Sequence, residues 1–183
     1  MSKSIKIKLS LTNNTVFDTS KLNNKTVLFF YPKAMTSGCS IEVQDFQKKL
    51  TTFKKLGFDV FGASKDTVEK NAKFSDKYKL KYELGSDVTD ACEKLGIWIE
   101  KSMYGKKYFG INRSTFILDK KGKILFIFPL KLTFVTMLLS SLSVNADTDV
   151  FLALYSCVRC VAEIVAVPNG KILENEILAP IES

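Results

Sequence analysis

The chain has 183 residues, 46% of them hydrophobic and 25% charged, with a formal net charge of +8, and it fits one globular domain with its own core. Lysine supplies 25 of the 27 basic residues and is spread along the chain. Dispersed lysines are typical of a solvent-exposed surface, so this distribution argues against a nucleic-acid partner. The four cysteines lack the regular spacing of a secreted disulfide framework, and residues 1–14 lack the apolar stretch of a signal peptide, so we expect a cytoplasmic protein.

The first part of the chain predicts a hairpin, a buried strand and a helix. Residues 5–11 alternate apolar and polar side chains, and an Asn-Asn pair then marks a turn into "TVF", so we expect an N-terminal hairpin. Residues 25–31 form a continuous apolar run, which is typical of a strand buried on both faces. Beyond Cys39, apolar residues recur at three- and four-residue steps, which predicts a helix that runs to about Leu56 and ends at Gly57.

The next part continues the alternation of strands and helices. Residues 58–64 predict a second buried strand, and residues 67–79 predict a charged amphipathic helix with Asp66 as its N-cap. A shorter helix over residues 87–97 leads to a strand, a Lys-Gly turn and another strand over residues 114–128. This order predicts an α/β fold with a central mixed β-sheet flanked by helices, and thioredoxin-like folds share it.

A single cysteine stands between the buried strand and the first helix, in "FFYPKAMTSGCSIEVQDF" (29–46). Cys39 is predicted to lie in the first helical turn, where unpaired amides and the positive end of the helix dipole favour a thiolate. The chain contains no histidine, which excludes papain-like and caspase-like hydrolases and histidine-dependent zinc sites. Attack of a thiolate on a peroxide O–O bond or on a disulfide remains.

The residue three positions before Cys39 favours the peroxide. A thioredoxin-type oxidoreductase needs Cys-x-x-Cys at this helix start, whereas this chain has Thr36 in place of the first cysteine. A hydroxyl cannot form a disulfide, but it can hydrogen-bond a small oxygen substrate beside the thiolate.

The stretch "FFYPKAMTSGC" resembles the P-x-x-x-T-x-x-C signature of the peroxiredoxins. Together with "EVQDF" and with "KSMYGKKYFGINRSTFILDKKGKI" (101–124), it makes the chain similar to the bacterioferritin-comigratory-protein (PrxQ) subfamily from about Ile7 to about Ile124. The resemblance implies the peroxiredoxin form of the thioredoxin-like fold. It also implies a thioredoxin-dependent thiol peroxidase that reduces hydrogen peroxide and organic hydroperoxides through a cysteine sulfenic acid, with no cofactor and no metal.

The resemblance further implies roles for five residues. Cys39 matches the peroxidatic cysteine, Thr36 the threonine that orients the peroxide, and Pro32 the proline that shields the thiolate. Arg113 matches the arginine that stabilises the thiolate and polarises the O–O bond, and Glu42 matches an acid one turn into the helix.

Three of these residues also have a purely structural interpretation. Pro32 can act only as a strand terminator, Thr36 only as a loop hydrogen-bonder, and Glu42 only as an acid favoured by the helix dipole. Arg113 is one of two arginines in a lysine-rich chain, which favours a site that requires a planar, permanently charged fork.

The cysteine that would regenerate the thiolate is not where many members of the subfamily have it. Gln44 occupies that position, five residues after Cys39. We interpret Cys92 as a small buried hydrophobe, with a resolving role as the alternative. We therefore expect an external reductant, which is thioredoxin, glutaredoxin or a small thiol. We also expect a monomer without a membrane partner.

The composition changes near Lys131. Residues 1–131 carry a net charge of +12 and residues 132–183 a net charge of −4, so we assign residues 1–128 to a peroxiredoxin domain and residues 129–183 to a divergent apolar segment. Cys157 and Cys160 could form a redox pair or half of a zinc site, but the chain has no second pair and we interpret their spacing as chance. This segment leaves a second hypothesis, an impaired peroxiredoxin remnant whose apolar tail mediates membrane or self-association.

Overall fold

A computed structural model describes residues 4–103 and 105–129 of the chain. These residues form nine strands and three α-helices: β1 Lys8–Leu11, β2 Val16–Asp18, β3 Lys25–Phe30, α1 Ser37–Lys55, β4 Phe58–Ser64, α2 Val68–Tyr78, β5 Leu84–Ser86, α3 Ala91–Lys94, β6 Trp98–Met103, β7 Lys106–Ile111, β8 Ser114–Leu118 and β9 Ile124–Pro129. The predicted order of strands and helices is confirmed, and so is the mixed sheet.

Seven of the described strands form one sheet in the order β2-β1-β5-β4-β3-β8-β9, and β6 pairs with β7 in a separate hairpin. The pairs β3–β4 and β4–β5 are parallel, whereas β3–β8 is antiparallel. The continuous apolar run of β3 suits its central place, because a strand between two neighbours and under helices has both faces buried. The end of β3 is therefore held from both sides.

The alternation of side chains along β3 divides the core into two clusters, one on each face of the sheet. Val27 and Phe29 pack with Cys39 and with apolar residues of α1 and α2. Leu28 and Phe30 pack on the other face, in the cluster that contains Cys92 of α3. The sheet thus lies between the two described cysteines.

Two helix starts differ from the prediction. Asp66 is not the N-cap of α2; that residue is Thr67, whose hydroxyl accepts the N–H of Lys70 at 3.3 Å. The carboxylate of Asp66 instead accepts the backbone N–H of Ala34 at 2.6 Å. The predicted helix over 87–97 was too long.

The chain forms only the four-residue α3 there, because the segment before it makes a turn around a carboxylate. Asp87 accepts the N–H groups of Ala91 and Cys92, both at 2.8 Å, and these contacts satisfy amides at the start of α3. Gly96, with φ +69°, follows the helix in a conformation that ends it.

Two parts of the fold were not predicted. The strand β5 has three residues, and the β6–β7 hairpin carries lysines and glycines instead of a clear apolar alternation. Residues 130–183 lie outside the described residues, and with them Cys157, Cys160 and nearly all of the predicted divergent segment. Within the described residues, no helix is both long enough and apolar enough to cross a membrane.

Candidate active site

Cys39 is the third residue of α1, and α1 begins just beyond the carboxyl end of the central strand β3. Thr36 precedes the helix in an extended conformation, with φ −89° and ψ 155°, so its carbonyl accepts the N–H of Ser40 at 2.9 Å. Cys39 is only 1% exposed and belongs to the core cluster under α1. Its sulfur therefore lies at a helix N-terminus in a largely water-free setting.

Arg113 reaches this sulfur from a distant part of the chain because of the strand register. Ser114, at the start of β8, pairs with Phe30 at the end of the antiparallel strand β3. The residue before Ser114 consequently lies beside the start of α1, and Nη2 of Arg113 donates a hydrogen bond to Sγ of Cys39 at 3.2 Å. The sheet topology places this cation next to the thiol.

The same guanidinium also contacts Glu42, which follows Cys39 by three residues on α1. Nη1 of Arg113 donates to Oε2 of Glu42, and the Glu42 side chain is 5% exposed. Burial raises the pKa of Glu42 to about 7, although the charge of Arg113 opposes this shift. Burial alone would lower the pKa of Arg113, but Glu42 and Cys39 outweigh it and raise that pKa.

Arg113 is thus a two-pronged bridge, with one nitrogen on the thiol and another on a buried carboxylate. Only the planar fork of an arginine supplies two such donors in fixed directions, whereas a lysine is a single point charge. A thiol held at a helix N-terminus beside a fixed cation can react as a thiolate nucleophile.

Thr36 and Pro32 lie in the segment that leads into Cys39, and both are exposed. The hydroxyl of Thr36 donates to the carbonyl of Lys33 at 3.0 Å. Within the described part of the chain, neither residue has a hydrogen bond to Cys39. The structure therefore joins Cys39, Glu42 and Arg113 by direct contacts, whereas Thr36 and Pro32 lie in the exposed segment that precedes α1.

Two residues near the site were missed in the sequence. Lys101 on β6 donates to the carbonyl of Ile111 at 2.7 Å, and burial together with the charge of Arg113 lowers the pKa of Lys101. Asp66 binds the loop before Thr36. Lys101 stands inside the block that carries the resemblance, but its pattern of neighbours gave no sign of burial, and Asp66 was interpreted as a helix cap.

Cys92 is also buried near the start of a helix, but among the described residues it has no arginine contact such as that of Cys39. It is fully buried in the cluster on the opposite face of the sheet from Cys39. Burial and a hydrogen bond to Asp87 raise the pKa of the Cys92 thiol. Both effects disfavour a thiolate, which agrees with a structural cysteine. In the part of the chain that the structure describes, no three potential metal-ligating side chains form a cluster.

The chain is similar to known proteins over the described region. The model of the AhpC/TSA family matches residues 3–127. Peroxiredoxin Bcp of Escherichia coli K12 is 42% identical over 105 residues, which are 57% of this chain and 67% of that protein. Peroxiredoxin Bcp of Bacillus subtilis is 41% identical over 100 residues, which are 54% of this chain and 64% of that protein.

Solved structures show the same likeness. A mutant of peroxiredoxin Q from Xanthomonas campestris superposes with a TM-score of 0.64 at 33% identity, covering 82% of this chain and 90% of its own. The bacterioferritin comigratory protein of the same organism, in a study of its alkyl peroxide reduction, gives a TM-score of 0.66 at 28% identity, covering 88% and 99%. With a family match over more than half of its length, the chain belongs to the AhpC/TSA family and is a peroxiredoxin of the bacterioferritin-comigratory-protein type.

Proposed function

We propose that Cys39 carries the thiol peroxidase activity of this peroxiredoxin, with hydrogen peroxide and organic hydroperoxides as substrates. The observation that carries the assignment is the Arg113 bridge, which contacts Sγ of Cys39 with one nitrogen and Oε2 of Glu42 with the other. Alkyl peroxide reduction by the similar Xanthomonas protein supports the organic substrates.

In the proposed reaction, the thiolate of Cys39 attacks one oxygen of the peroxide and the O–O bond breaks. The sulfur loses two electrons and becomes a sulfenic acid, while the other oxygen leaves with the bonding pair and takes up a proton to give water or an alcohol. Arg113 holds positive charge beside the atoms on which negative charge moves from sulfur to oxygen, so it stabilises the transition state.

Thr36 and Pro32 complete the proposed site at its exposed side. The hydroxyl of Thr36 lies one turn before the sulfur and has lone pairs to accept from a peroxide while it donates to Lys33. Pro32 follows Tyr31, which is fully buried just after β3, and has no N–H that would attract water. We assign Thr36 to orienting the peroxide and Pro32 to shielding the thiolate.

We propose that an external thiol returns Cys39 to its reduced form. Gln44, at the position of the usual resolving cysteine, donates its amide to the carbonyl of Ser40 at 2.8 Å and offers no sulfur. The first external thiol attacks the sulfenic acid to give a mixed disulfide and water, and a second thiol releases Cys39 and leaves as a disulfide. Thioredoxin, glutaredoxin or a small thiol fits this chemistry.

A free thiol as co-substrate suits a reducing compartment, so we place the protein in the cytoplasm. Separately, we propose that it acts as a monomer. The second hypothesis, an impaired remnant that associates through its tail, gains no support. Cys39, Glu42 and Arg113 form direct contacts, and the tail lies outside the described residues.

Replacing Cys39 by Ser is expected to abolish peroxide reduction, because no other described cysteine combines a helix N-terminus with an arginine contact. Peroxide consumption with dithiothreitol or thioredoxin measures the effect, and circular dichroism checks the fold. Cys92→Ser is the matched control and is expected to keep the parent rate. Peroxide consumption that persists in Cys39→Ser would remove the central assignment.

Replacing Arg113 by Lys retains the charge but loses the two-pronged contact. We expect the second-order rate constant for peroxide to fall at least about tenfold, equivalent to roughly 1.4 kcal/mol of transition-state stabilisation. Lys107→Arg, at an exposed position on β7, is the control and is expected to leave the rate unchanged. Parent-like kinetics of Arg113→Lys would show that the two-pronged contact of Arg113 has no part in peroxide reduction.

The pKa of Glu42, raised by burial to about 7, predicts opposite pH trends for activity and stability. Above about pH 7 the carboxylate forms the stronger, charge-assisted hydrogen bond that orients Arg113, so activity should rise from pH 6 to pH 8. Because this folded-state pKa lies above the ordinary value of 4.5, the stabilisation by the protonated carboxyl is complete below pH 4.5 and is lost as the pH rises through about 7.

Glu42→Gln isolates both trends, since other titrating groups are common to the two proteins. The rate difference between parent and variant should grow above about pH 7, and the parent's free energy of unfolding, from urea denaturation, should fall relative to that of the variant between pH 4.5 and about 7. Parallel pH profiles of the parent and the variant would show that the Glu42 charge has no part in catalysis.

The recycling proposal predicts the products at Cys39 after one equivalent of peroxide. Mass spectrometry of tryptic peptides should find Cys39 as sulfenic acid, or as a mixed disulfide when thiol is added. A stoichiometric cross-link from Cys39 to Cys92 or to Cys157 would contradict the one-cysteine mechanism and assign the resolving role to that second cysteine.

A further inference from the structure

Residues 32–36, in the loop between β3 and α1, have a conformation that their sequence does not favour by itself. Met35 has φ +66°, in the left-handed region that residues other than glycine seldom adopt. Such a conformation persists only where the surroundings impose it. This loop ends at Thr36 and leads directly into the helical turn of Cys39, so whatever holds it also affects the site.

One side chain outside the loop holds its backbone. The N–H of Ala34 donates to Oδ2 of Asp66 at 2.6 Å. Of the residues described, no other member of 32–36 has a hydrogen bond to an element besides α1, whereas Tyr31, just before them, donates its N–H to the carbonyl of Ala63 on β4 at 2.9 Å. Asp66 thus provides the polar anchor between this loop and the end of β4.

Asp66 is itself fixed on more than one side. Its Oδ2 also accepts the hydroxyl of Ser64 at 3.2 Å, and its Oδ1 accepts the ammonium of Lys70. Its own N–H donates to Oγ of Ser64 at 3.1 Å. The side chain is 11% exposed, so little water competes for these contacts.

The support continues into the sheet through a buried network. Asn71 accepts the hydroxyl of Tyr31 at 2.8 Å and donates to the carbonyl of Gly85 at 3.2 Å. The hydroxyl of Ser64 lies 3.2 Å from the same amide oxygen of Asn71. Asp66 is therefore connected, through Ser64 and Asn71, to Tyr31, the residue that follows the strand leading to Cys39.

We propose that Asp66 is a positioning residue for the peroxide reaction: by holding the amide of Ala34, it fixes the place of the Thr36 hydroxyl relative to the sulfur of Cys39. This inference rests on the proposed function. Thr36 is two residues beyond the anchored amide, so a displacement of Ala34 passes to it through two peptide units. Displacements of about 1 Å in a reacting geometry can lower rates about a hundredfold.

Two variants separate the position of the accepting oxygen from its charge. Asp66→Asn keeps an oxygen at the same distance from the backbone without the charge, whereas Asp66→Glu keeps the charge and moves the oxygen by one methylene. Asp87→Glu is the matched control, because Asp87 likewise accepts backbone N–H groups at 2.8 Å, but at the start of α3 on the other face of the sheet.

For each protein, rapid quench and mass spectrometry of the Cys39 peptide give the rate of oxidation by hydrogen peroxide and, separately, the rate of alkylation by iodoacetamide. Alkylation needs the thiolate and access but no orientation of a peroxide. We expect Asp66→Glu to lower oxidation at least about tenfold with alkylation within about threefold of the parent, Asp66→Asn to keep oxidation within about threefold, and Asp87→Glu to match the parent in both.

The reverse order, with Asp66→Glu near the parent rate and Asp66→Asn slowed, would assign the effect to charge and overturn the positioning role. An equal loss of oxidation and alkylation in Asp66→Glu would also overturn it, since that result describes a general disturbance of the helix start. A parent protein whose Cys39 is not oxidised by peroxide would contradict the proposed function and this inference together. A reactive parent with unaffected Asp66 variants would contradict only the inference.

Discussion

The bridge from Arg113 to Cys39 and Glu42 is the interaction on which the site depends. One guanidinium, largely out of water, faces a thiol at 3.2 Å and a carboxylate at direct contact. Each of these groups makes the burial of the others tolerable, because an isolated buried charge would be strongly destabilising. Removal of one member leaves a partner without compensation, so the bridge acts as a unit.

The sheet topology brings the members of this bridge together. Residues 74 positions apart meet because β8 runs antiparallel to β3 and begins where β3 ends, with Ser114 opposite Phe30. The helix that carries Cys39 and Glu42 starts from the same end of β3, so the central strand brings both halves of the bridge to one place. The buried apolar run of β3 is thus a requirement for the chemistry as well as for the core.

The sequence predicts those parts of the fold whose information is local. The apolar runs of β3 and β4 and the helical spacing of α1 are confirmed, because each of these patterns records burial directly. The hairpin β6–β7 was not predicted, since its mostly exposed strands leave no apolar alternation. A resemblance, not a pattern, paired Arg113 with Cys39, since no local signal reports a contact over such a sequence distance.

Asp66 shows how a local rule fails for a physical reason. An acid just before a helix is normally read as a cap, and Thr67 would be an equally good one. The structure uses the hydroxyl of Thr67 for the helix and leaves the carboxylate of Asp66 for Ala34, where a charged acceptor makes a stronger bond to an N–H. Asp66 and Thr67 have similar capping strength, and only the three-dimensional arrangement decides that Thr67 caps α2 and Asp66 accepts the N–H of Ala34.

In Glu42, the protonation state that suits the site differs from the one that stabilises the fold. A chain without histidine has no side chain with an ordinary pKa near neutrality, and here burial brings the pKa of Glu42 to about 7. The charged form that orients Arg113 is the form that burial disfavours, so Glu42 is expected to contribute least to stability in the pH range where its carboxylate best orients Arg113. Enzymes commonly lose some stability at their reactive centres. In this protein the destabilising group is the buried carboxylate of Glu42, three residues after Cys39.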